Sequence, residues 1–308
     1  MSTCHVCGSP SSEKLLYRPD AGLGVERCRS CGFVYLDAWA QSVARHEELY
    51  DYYGHFEEAS IAERHSPQNR ARQQELLRAL AHRTRGRKLL DVGCGDGQLI
   101  ETALSEGWNA TGIDLSESAI RICRQRGLSA SKTDFFDGSF DARRFDVVIM
   151  SELIEHVPSP QRFLKRAADL LEPGGILYLT TPNFGSLARR MLGEDWSVIH
   201  PEHIGYFERT TLRQMASEHA GLRELKIEAN NISPSTVVAW MRRRTLQTAA
   251  EATHTHREAR QGMDQRLRGV ILESRVLSAS KTVINRLVSR LGLGDTLVAW
   301  LQKPKSAR

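Results

Sequence analysis

The heptapeptide D-V-G-C-G-D-G at residues 91–97 decides the fold. It follows directly on the short apolar run Lys88–Val92, and a helix is predicted to start near Gln98. Glycines at such a turn let the backbone approach a ligand closely, which is why many nucleotide-binding folds use one. The turn alone is a weak signal, so the residues around it must indicate what it binds.

Strand-like and helical segments alternate along the chain from this point. The later predicted strands are Asn109–Ile113, 128–132, Phe145–Met150 and Ile176–Thr180. Before the last of them, Ser159-Pro160 is predicted to start a helix, with the serine as its cap. This alternation predicts a doubly wound α/β fold, in which helices cover both faces of a parallel sheet.

Acidic residues at two strand ends indicate the ligand. Asp114 lies 21 residues beyond Gly93, at the end of the second strand, where a carboxylate can accept hydrogen bonds from ribose hydroxyls. Asp134 and Phe135 follow the third strand, and this pair can meet an adenine amine and cover its ring. The two strand ends therefore suit an adenosine-containing ligand.

Taken together, these motifs resemble the class I S-adenosylmethionine-dependent methyltransferases. The matching motifs are D-V-G-C-G-D-G, G-I-D-L, T-D-F, F-D-V-V-I-M and L-E-P-G-G-I-L-Y-L-T-T-P-N, within residues 86–230. The resemblance implies a seven-stranded Rossmann-like sheet whose last strand is antiparallel, with Leu222–Ala229 and 295–301 as strands six and seven. It implies cofactor contacts at Asp91, Gly93, Cys94, Gly95, Asp114, Leu115, Asp134, Phe135 and Ser151.

A narrower resemblance follows the fourth strand. The sequence S-E-L-I-E-H-V-P there matches the E-x-x-E-H of ubiquinone-biosynthesis O-methyltransferases, and a similar arrangement occurs in small-RNA 2′-O-methyltransferases. In those families these residues hold a divalent cation that binds neighbouring hydroxyls of the acceptor. Glu152, Glu155 and His156 would share one face of a helical turn and converge on one point. His200 or His203 can add a fourth ligand, and His203 is favoured because it lies beside a helix start.

The chemistry of this turn stays open between two interpretations. A cation such as Mg²⁺, held by Glu152, Glu155, His156 and His203, would lower the pKa of an acceptor hydroxyl. Without a metal, His156 or His203 would accept the proton as general base, or the turn would only cap a helix or touch the cofactor. The predicted reaction is O-methylation of a small-molecule phenol, catechol or sugar. The alternatives are 2′-O-methylation of RNA, N- or C-methylation, and a non-catalytic cofactor-binding role.

Two cysteine pairs mark the start of the chain. Cys4 and Cys7 form a C-x-x-C pair, and after twenty residues Cys28 and Cys31 form a second one, each pair ending in Cys-Gly. Four thiolates at this spacing can close a tetrahedral zinc site with no open position, so the predicted zinc is structural. The alternative is four unrelated buried cysteines. Six cysteines without a secretory signal favour metal ligation and free thiols over disulfides.

These features divide the chain into five predicted parts. They are a zinc-binding module at 1–36, a helical connector at 37–85, the S-adenosylmethionine-binding catalytic domain at 86–230, a helical insert or lid at 231–292, and the final strand and tail at 293–308. The connector is predicted to form helices over 43–56 and 62–84, with a break near Ser66-Pro67.

Charge is distributed unevenly along the chain. The net charge is +5, and residues 241–308 carry 14 Lys/Arg against 5 Asp/Glu. The basic amphipathic stretch 266–291 can lie on an anionic membrane, or it can pack on the catalytic domain or a second subunit, which leaves the oligomeric state open. No compact basic-aromatic cluster typical of RNA stacking is visible, so nucleic acid is the less favoured partner. No stretch approaches the roughly 18 apolar residues of a membrane span, and the expected compartment is the cytoplasm.

Overall fold

The computed structural model describes residues 3–18, 22–37, 65–231 and 288–305. Its strands are β1 (Ser12–Arg18), β2 (Leu23–Cys28), β3 (Val34–Leu36), β4 (Lys88–Val92), β5 (Asn109–Asp114), β6 (Ala130–Lys132), β7 (Phe145–Ser151), β8 (Leu171–Pro182), β9 (Gly205–Tyr206), β10 (Arg223–Asn230) and β11 (Thr296–Gln302). Its α-helices are α1 (Pro67–Ala81), α2 (Gln98–Ser105), α3 (Glu117–Gln125), α4 (Pro160–Leu170), α5 (Leu187–Leu192) and α6 (Arg209–Ala220). The predicted helix at 43–56, residues 266–287 of the basic stretch 266–291 and residues 232–287 of the predicted insert lie outside the described residues.

The larger sheet has seven strands in the order β10-β11-β8-β7-β4-β5-β6. The strands β4 to β8 pair in parallel, whereas β11 pairs antiparallel with both β8 and β10. This is the doubly wound Rossmann-like sheet with an antiparallel last strand that the sequence predicted, and the fold class is confirmed. The last strand lies inside the sheet, between two earlier strands.

Burial explains why the strand signals are continuous apolar runs. In β7 five of seven residues are buried, because helices pack on both faces of the strand. One core cluster includes Val148 and Leu177 under α4 and α6, and a second includes Leu89 and Val147 under α1 and α2. The ligand-binding edge is left at the carboxyl ends of the parallel strands.

Several predicted boundaries differ from the structure. β8 begins at Leu171 rather than at Ile176, because Leu171 pairs with Phe145 and Ile176 pairs with Val147, so the residues between them bulge out. Ser159 is at the N-cap position of α4 and Pro160 is in its first turn, as predicted, but the Ser159 side chain makes no capping hydrogen bond. The predicted break near Ser66-Pro67 is the start of α1, where the Ser66 hydroxyl accepts from the Asn69 N–H.

The strands β1, β2 and β3 form a second sheet together with β9, in the order β1-β2-β3-β9. Its fourth strand, Gly205–Tyr206, belongs to the chain beyond β8 and pairs antiparallel with Val34 and Tyr35 of β3. The cysteine-bearing segment is therefore continuous with the catalytic part through β9.

Within the described residues, no helix is long and apolar enough to cross a membrane.

Candidate active site

Three glycines shape the turn at the end of β4. Gly93, Gly95 and Gly97 have φ angles of 76°, 53° and 80°, which residues with a Cβ rarely adopt. The N–H groups of Gly93 and Cys94 both donate to the Ile113 carbonyl, at 2.8 and 3.0 Å. The turn is therefore fixed against the end of β5, with its backbone accessible to a ligand.

Asp114 ends β5 with its carboxylate held by backbone donors. Its Oδ2 accepts from the Gly95 N–H at 2.9 Å, and its Oδ1 accepts from the Ser116 N–H at 2.8 Å. Each oxygen keeps a second lone pair. The carboxylate is thus oriented, and it can still accept hydrogen bonds from ribose hydroxyls.

Asp91 supplies a buried carboxyl at the end of β4, the strand beside β5. Its side chain is 4% exposed, and burial, with a smaller contribution from the negative charge of Asp114, raises its pKa to about 7. A positively charged ligand beside it would favour the ionised form. A sulfonium or ammonium group bound beside Asp91 would therefore lower its pKa.

The other predicted cofactor residues lie in different environments. Cys94 is buried, whereas Leu115 and Ser151 are exposed. Phe135, expected to cover an adenine ring, is buried with its ring centroid 5.5 Å from that of Phe163. The aromatic ring that reaches solvent beside Asp134 is that of Phe136, which lines a cleft of about 350 Å³.

The turn after β7 brings three metal-ligating side chains together. One ligand atom each from Glu155, His156 and His203 lies within 4.8 Å of the other two. Glu155 is 2% exposed, and its Oε2 accepts from the Thr181 hydroxyl at 2.9 Å. Its Oε1 is buried, lies 4.0 Å from His156 Nε2, and has no hydrogen-bond partner among the described residues. A buried carboxylate oxygen in this position suits a bound cation.

Both histidines of this cluster are oriented through Nδ1. His156 Nδ1 lies 2.9 Å from the Glu202 carbonyl, and His203 Nδ1 lies 2.9 Å from the Val198 carbonyl. A carbonyl only accepts, so each Nδ1 carries the proton and each Nε2 is the basic nitrogen. This is the tautomer that a metal ligand or a general base requires at Nε2.

Glu152 lies outside this cluster, although the sequence predicted it as a ligand. Its φ of 50° is left-handed, so the chain does not continue as the helical turn on which that prediction rested. The 3₁₀ turn begins later, at Ile154. Glu152 is exposed, and its backbone N–H donates to the Thr180 hydroxyl at 3.2 Å. Burial and the charge of Glu152 raise the pKa of Glu155 well above its ordinary range.

Of the two downstream histidines, only one belongs to the candidate cation cluster, and the structure adds residues that the sequence did not indicate. His203 belongs to the cluster, whereas His200 does not; its ring centroid lies 3.8 Å from that of His203, with the two planes tilted by 42°. Thr181 and the carbonyls that orient the imidazoles have no sequence signature. The strand after His203, β9, spans only Gly205–Tyr206 and therefore gives no periodic signal in the sequence.

The four cysteines predicted to bind zinc also come together. The Sγ atoms of Cys4, Cys7, Cys28 and Cys31 all lie within 4.8 Å of one another. Burial raises the pKa of Cys4 to about 11 and also raises that of Cys31. Burial also disfavours the Cys28 thiolate, but backbone N–H groups and neighbouring thiols outweigh this effect and lower the pKa of Cys28 to about 7. Backbone donors at a knuckle stabilise a thiolate in this way when it binds a cation. The cluster is therefore compatible with zinc.

The fold and the turn at β4 define a class of protein, the S-adenosylmethionine-dependent methyltransferases. The model of the methyltransferase-domain family matches residues 63–227, and the chain belongs to this family. The prediction of a methyltransferase enzyme that uses S-adenosylmethionine is confirmed.

Curated relatives and a solved structure agree with this assignment. The chain is 34% identical over 163 residues to a ubiquinone biosynthesis O-methyltransferase of Coxiella burnetii (strain RSA 493 / Nine Mile phase I), covering 49% of this chain and 69% of that protein. It is 37% identical over 116 residues to the protein of the same name from Bordetella avium (strain 197N), covering 35% and 48%. The crystal structure of the plantazolicin methyltransferase BamL, in complex with a triazolic desmethylPZN analog and SAH, superimposes with a TM-score of 0.51 at 17% identity, covering 87% and 98%. The last comparison supports the fold alone.

Proposed function

We propose that this methyltransferase transfers the methyl group to a hydroxyl oxygen of a small molecule, at a divalent cation held by Glu155, His156 and His203. The observation that supports it most strongly is the buried Glu155 Oε1, which lies beside two imidazoles with defined tautomers. The relatives from Coxiella burnetii and Bordetella avium are named O-methyltransferases, which agrees with an oxygen acceptor.

The donor set selects the kind of cation. One carboxylate and two imidazoles suit Mn²⁺, Fe²⁺, Co²⁺ or Zn²⁺, whereas Mg²⁺ prefers a shell of oxygen ligands. Nothing in the described residues supports the Mg²⁺ considered from the sequence, and we propose a transition-metal ion in its place. When bound, such a cation supplies Lewis acidity that lowers the pKa of an acceptor hydroxyl.

The protein contributes alignment and control of one proton. The turn at β4 and Asp114 would hold the cofactor, so that an acceptor at the turn after β7 meets the methyl carbon in line with the sulfur. When a cation is bound, His203 Nε2 would be one of its ligands, and the proton of the acidified hydroxyl would pass to solvent. If no cation binds, this imidazole is the general base that remains.

We also propose that Cys4, Cys7, Cys28 and Cys31 hold a structural zinc. All four positions of a tetrahedral site are then filled by protein thiolates, so this site has no place for an acceptor.

The decisive test compares Glu155→Gln with Glu152→Gln, which removes the same charge three residues earlier and outside the cluster. Mn²⁺ binding to zinc-loaded protein is followed by electron paramagnetic resonance, and turnover is measured with 3,4-dihydroxybenzoate and a panel of phenols, sugars and RNA oligonucleotides. We expect Glu155→Gln to weaken Mn²⁺ binding by about 100-fold and to abolish turnover, since it removes a ligand. Glu152→Gln should keep both within a few-fold.

Two results would overturn parts of this proposal. Full activity of Glu155→Gln without added metal would remove the cation and leave His203 as base. Methylation of RNA, or of nitrogen or carbon acceptors only, would replace the small-molecule hydroxyl.

A further inference from the structure

The strand β9 belongs to the cysteine module and to the candidate active site at the same time. Gly205 and Tyr206 pair with Tyr35 and Val34 of β3, in the sheet that follows the cysteine knuckles. The residue that precedes β9 by two positions is His203, a member of the candidate cation cluster. The module therefore continues, through two residues of sheet, into the segment that carries the histidine.

Ile204 makes the connection directly. Its carbonyl accepts from the Leu36 N–H of β3 at 3.2 Å, and its N–H donates to the Glu155 carbonyl at 2.9 Å. One fully buried residue thus hydrogen-bonds the module on one side and the turn after β7 on the other. Any shift of β3 is transmitted to the residue next to His203.

Further contacts tie the same segment to the module. Arg18 of β1 donates to the Ile199 carbonyl at 2.8 Å, one residue from the Val198 carbonyl that orients His203. Arg27 of β2 forms an ion pair with Glu208 at 2.8 Å, just beyond β9. The other end of this segment is held by the catalytic part of the chain, because the N–H of Phe184, just after β8, donates to the Phe207 carbonyl at 2.9 Å.

We propose that the four-cysteine module is the positioning element of the acceptor site, fixing His203 against Glu155 and His156 through β3, Ile204 and β9. This inference rests on the proposed function of the cluster. The hydrogen bonds described above all end on residues near His203 and Glu155, so we expect the effect to fall on the acceptor and cation side and cofactor binding to be spared.

A small wedge between β3 and β9 tests the inference without touching a cysteine. A Cβ added at Gly205 would lie 2.9 Å from Cζ of Phe33, the buried residue before β3, which is closer than real contacts allow. Gly205→Ala must therefore shift the Phe33 ring or move β9 away from it. Gly138→Ala is the matched control, since its Cβ would meet only Asp141 at 3.4 Å. Arg27→Met, which removes the ion pair to Glu208, provides a second perturbation with intact cysteines.

The readouts are the imidazole ¹H–¹⁵N correlation of His203, assigned with His203→Gln, the Mn²⁺ affinity and the S-adenosylmethionine affinity. In wild type and Gly138→Ala we expect a single Nδ1–H tautomer for His203. In Gly205→Ala and Arg27→Met we expect mixed tautomers and Mn²⁺ binding weaker by about 10-fold or more. Zinc content and cofactor Kd should stay unchanged.

The outcomes separate this inference from the proposed function. An unchanged His203 signal in both variants would overturn the positioning role, whether or not Mn²⁺ binds. Parallel loss of cofactor affinity would also overturn it, because the damage would then be general. If Mn²⁺ fails to bind wild-type protein while the His203 tautomer still responds, the positioning role holds and the proposed cation fails.

Discussion

The described part of the chain holds two clusters of metal-ligating side chains, and they differ in what they leave unfilled. The cysteine cluster offers four soft ligands from two adjacent knuckles, so its coordination is complete without a substrate. The Glu155 cluster offers three harder ligands from two distant segments. One of them, Glu155, has a buried oxygen without a hydrogen-bond partner among the described residues. A cluster whose coordination is complete suits a structural role, and a cluster with an open position suits chemistry. The hydrogen bonds of Ile204 make the geometry of the Glu155 cluster depend on the cysteine module.

The largest effect is expected when the closed cluster loses a ligand. Structural zinc contributes about 10–16 kcal/mol of apparent binding free energy, so Cys28→Ser should lose about one equivalent of zinc and expose β1 to β3. Elemental analysis and amide hydrogen exchange measure both. Cys123→Ser, which changes a buried cysteine outside the cluster, is the control. Equal zinc in the two variants would contradict the cluster as a zinc site.

Removing a ligand from the open cluster should change function and leave stability intact. His203→Gln is expected to weaken Mn²⁺ binding by about 100-fold, because losing a ligand costs at least as much as losing its orienting partner. The free energy of unfolding should change by about 1 kcal/mol or less, since the side chain is only partly buried. Denaturant unfolding and Mn²⁺ titration of the same sample make the measurement. A large loss of stability would mean that both clusters are structural.

Cofactor binding should be independent of both clusters. Asp114→Ala removes a charged acceptor, which is worth about 1.5–3 kcal/mol, so the S-adenosylmethionine Kd should rise about 10- to 150-fold. Zinc content and Mn²⁺ affinity should not change. Calorimetry of this variant beside Asp169→Ala, an exposed acid on α4, provides the comparison. Unchanged affinity in Asp114→Ala would place the cofactor elsewhere.

The smallest effect is expected at Asp91. Like Glu155, it is a buried carboxyl whose pKa is raised by burial, but it lies in β4, outside both clusters. Its pKa is raised to about 7 in the free protein, and a positively charged cofactor would lower it. Affinity should therefore be constant above pH 7 and fall by up to about 10-fold per unit below it, because protons compete for the carboxylate. Asp91→Asn should lose this pH dependence. The same slope in wild type and variant would assign it to another group.

The sequence predicted the parts of the molecule that depend on local patterns. The strand ends at Val92 and Asp114, the glycine turn and the cysteine pairs all follow from periodicity or spacing over a few residues. Resemblance added the antiparallel last strand, which no local pattern shows.

What the sequence could not predict depends on backbone conformation and distant pairing. Glu152 was expected beside Glu155, but its left-handed φ breaks the helical spacing. His203 was favoured because of a following helix, whereas the structure holds it through β9, a two-residue strand too short to leave a periodic signal. A pairing between residues 34 and 206 is set by the tertiary fold alone.

One feature of the larger sheet bears on the chain between β10 and β11. These strands are antiparallel neighbours, and the Asp295 N–H donates to the Asn231 carbonyl at 2.8 Å, so the long segment leaves and returns at a single point. Loop-closure entropy grows slowly, so extending a four-residue hairpin to roughly sixty residues costs about 2.4 kcal/mol. The sheet can therefore accept segments of very different length at this position, and replacing 232–287 by a short turn should leave the seven strands folded. Residues 288–294 must stay, because the buried Asn183 side chain donates to the Gly292 and Gly294 carbonyls.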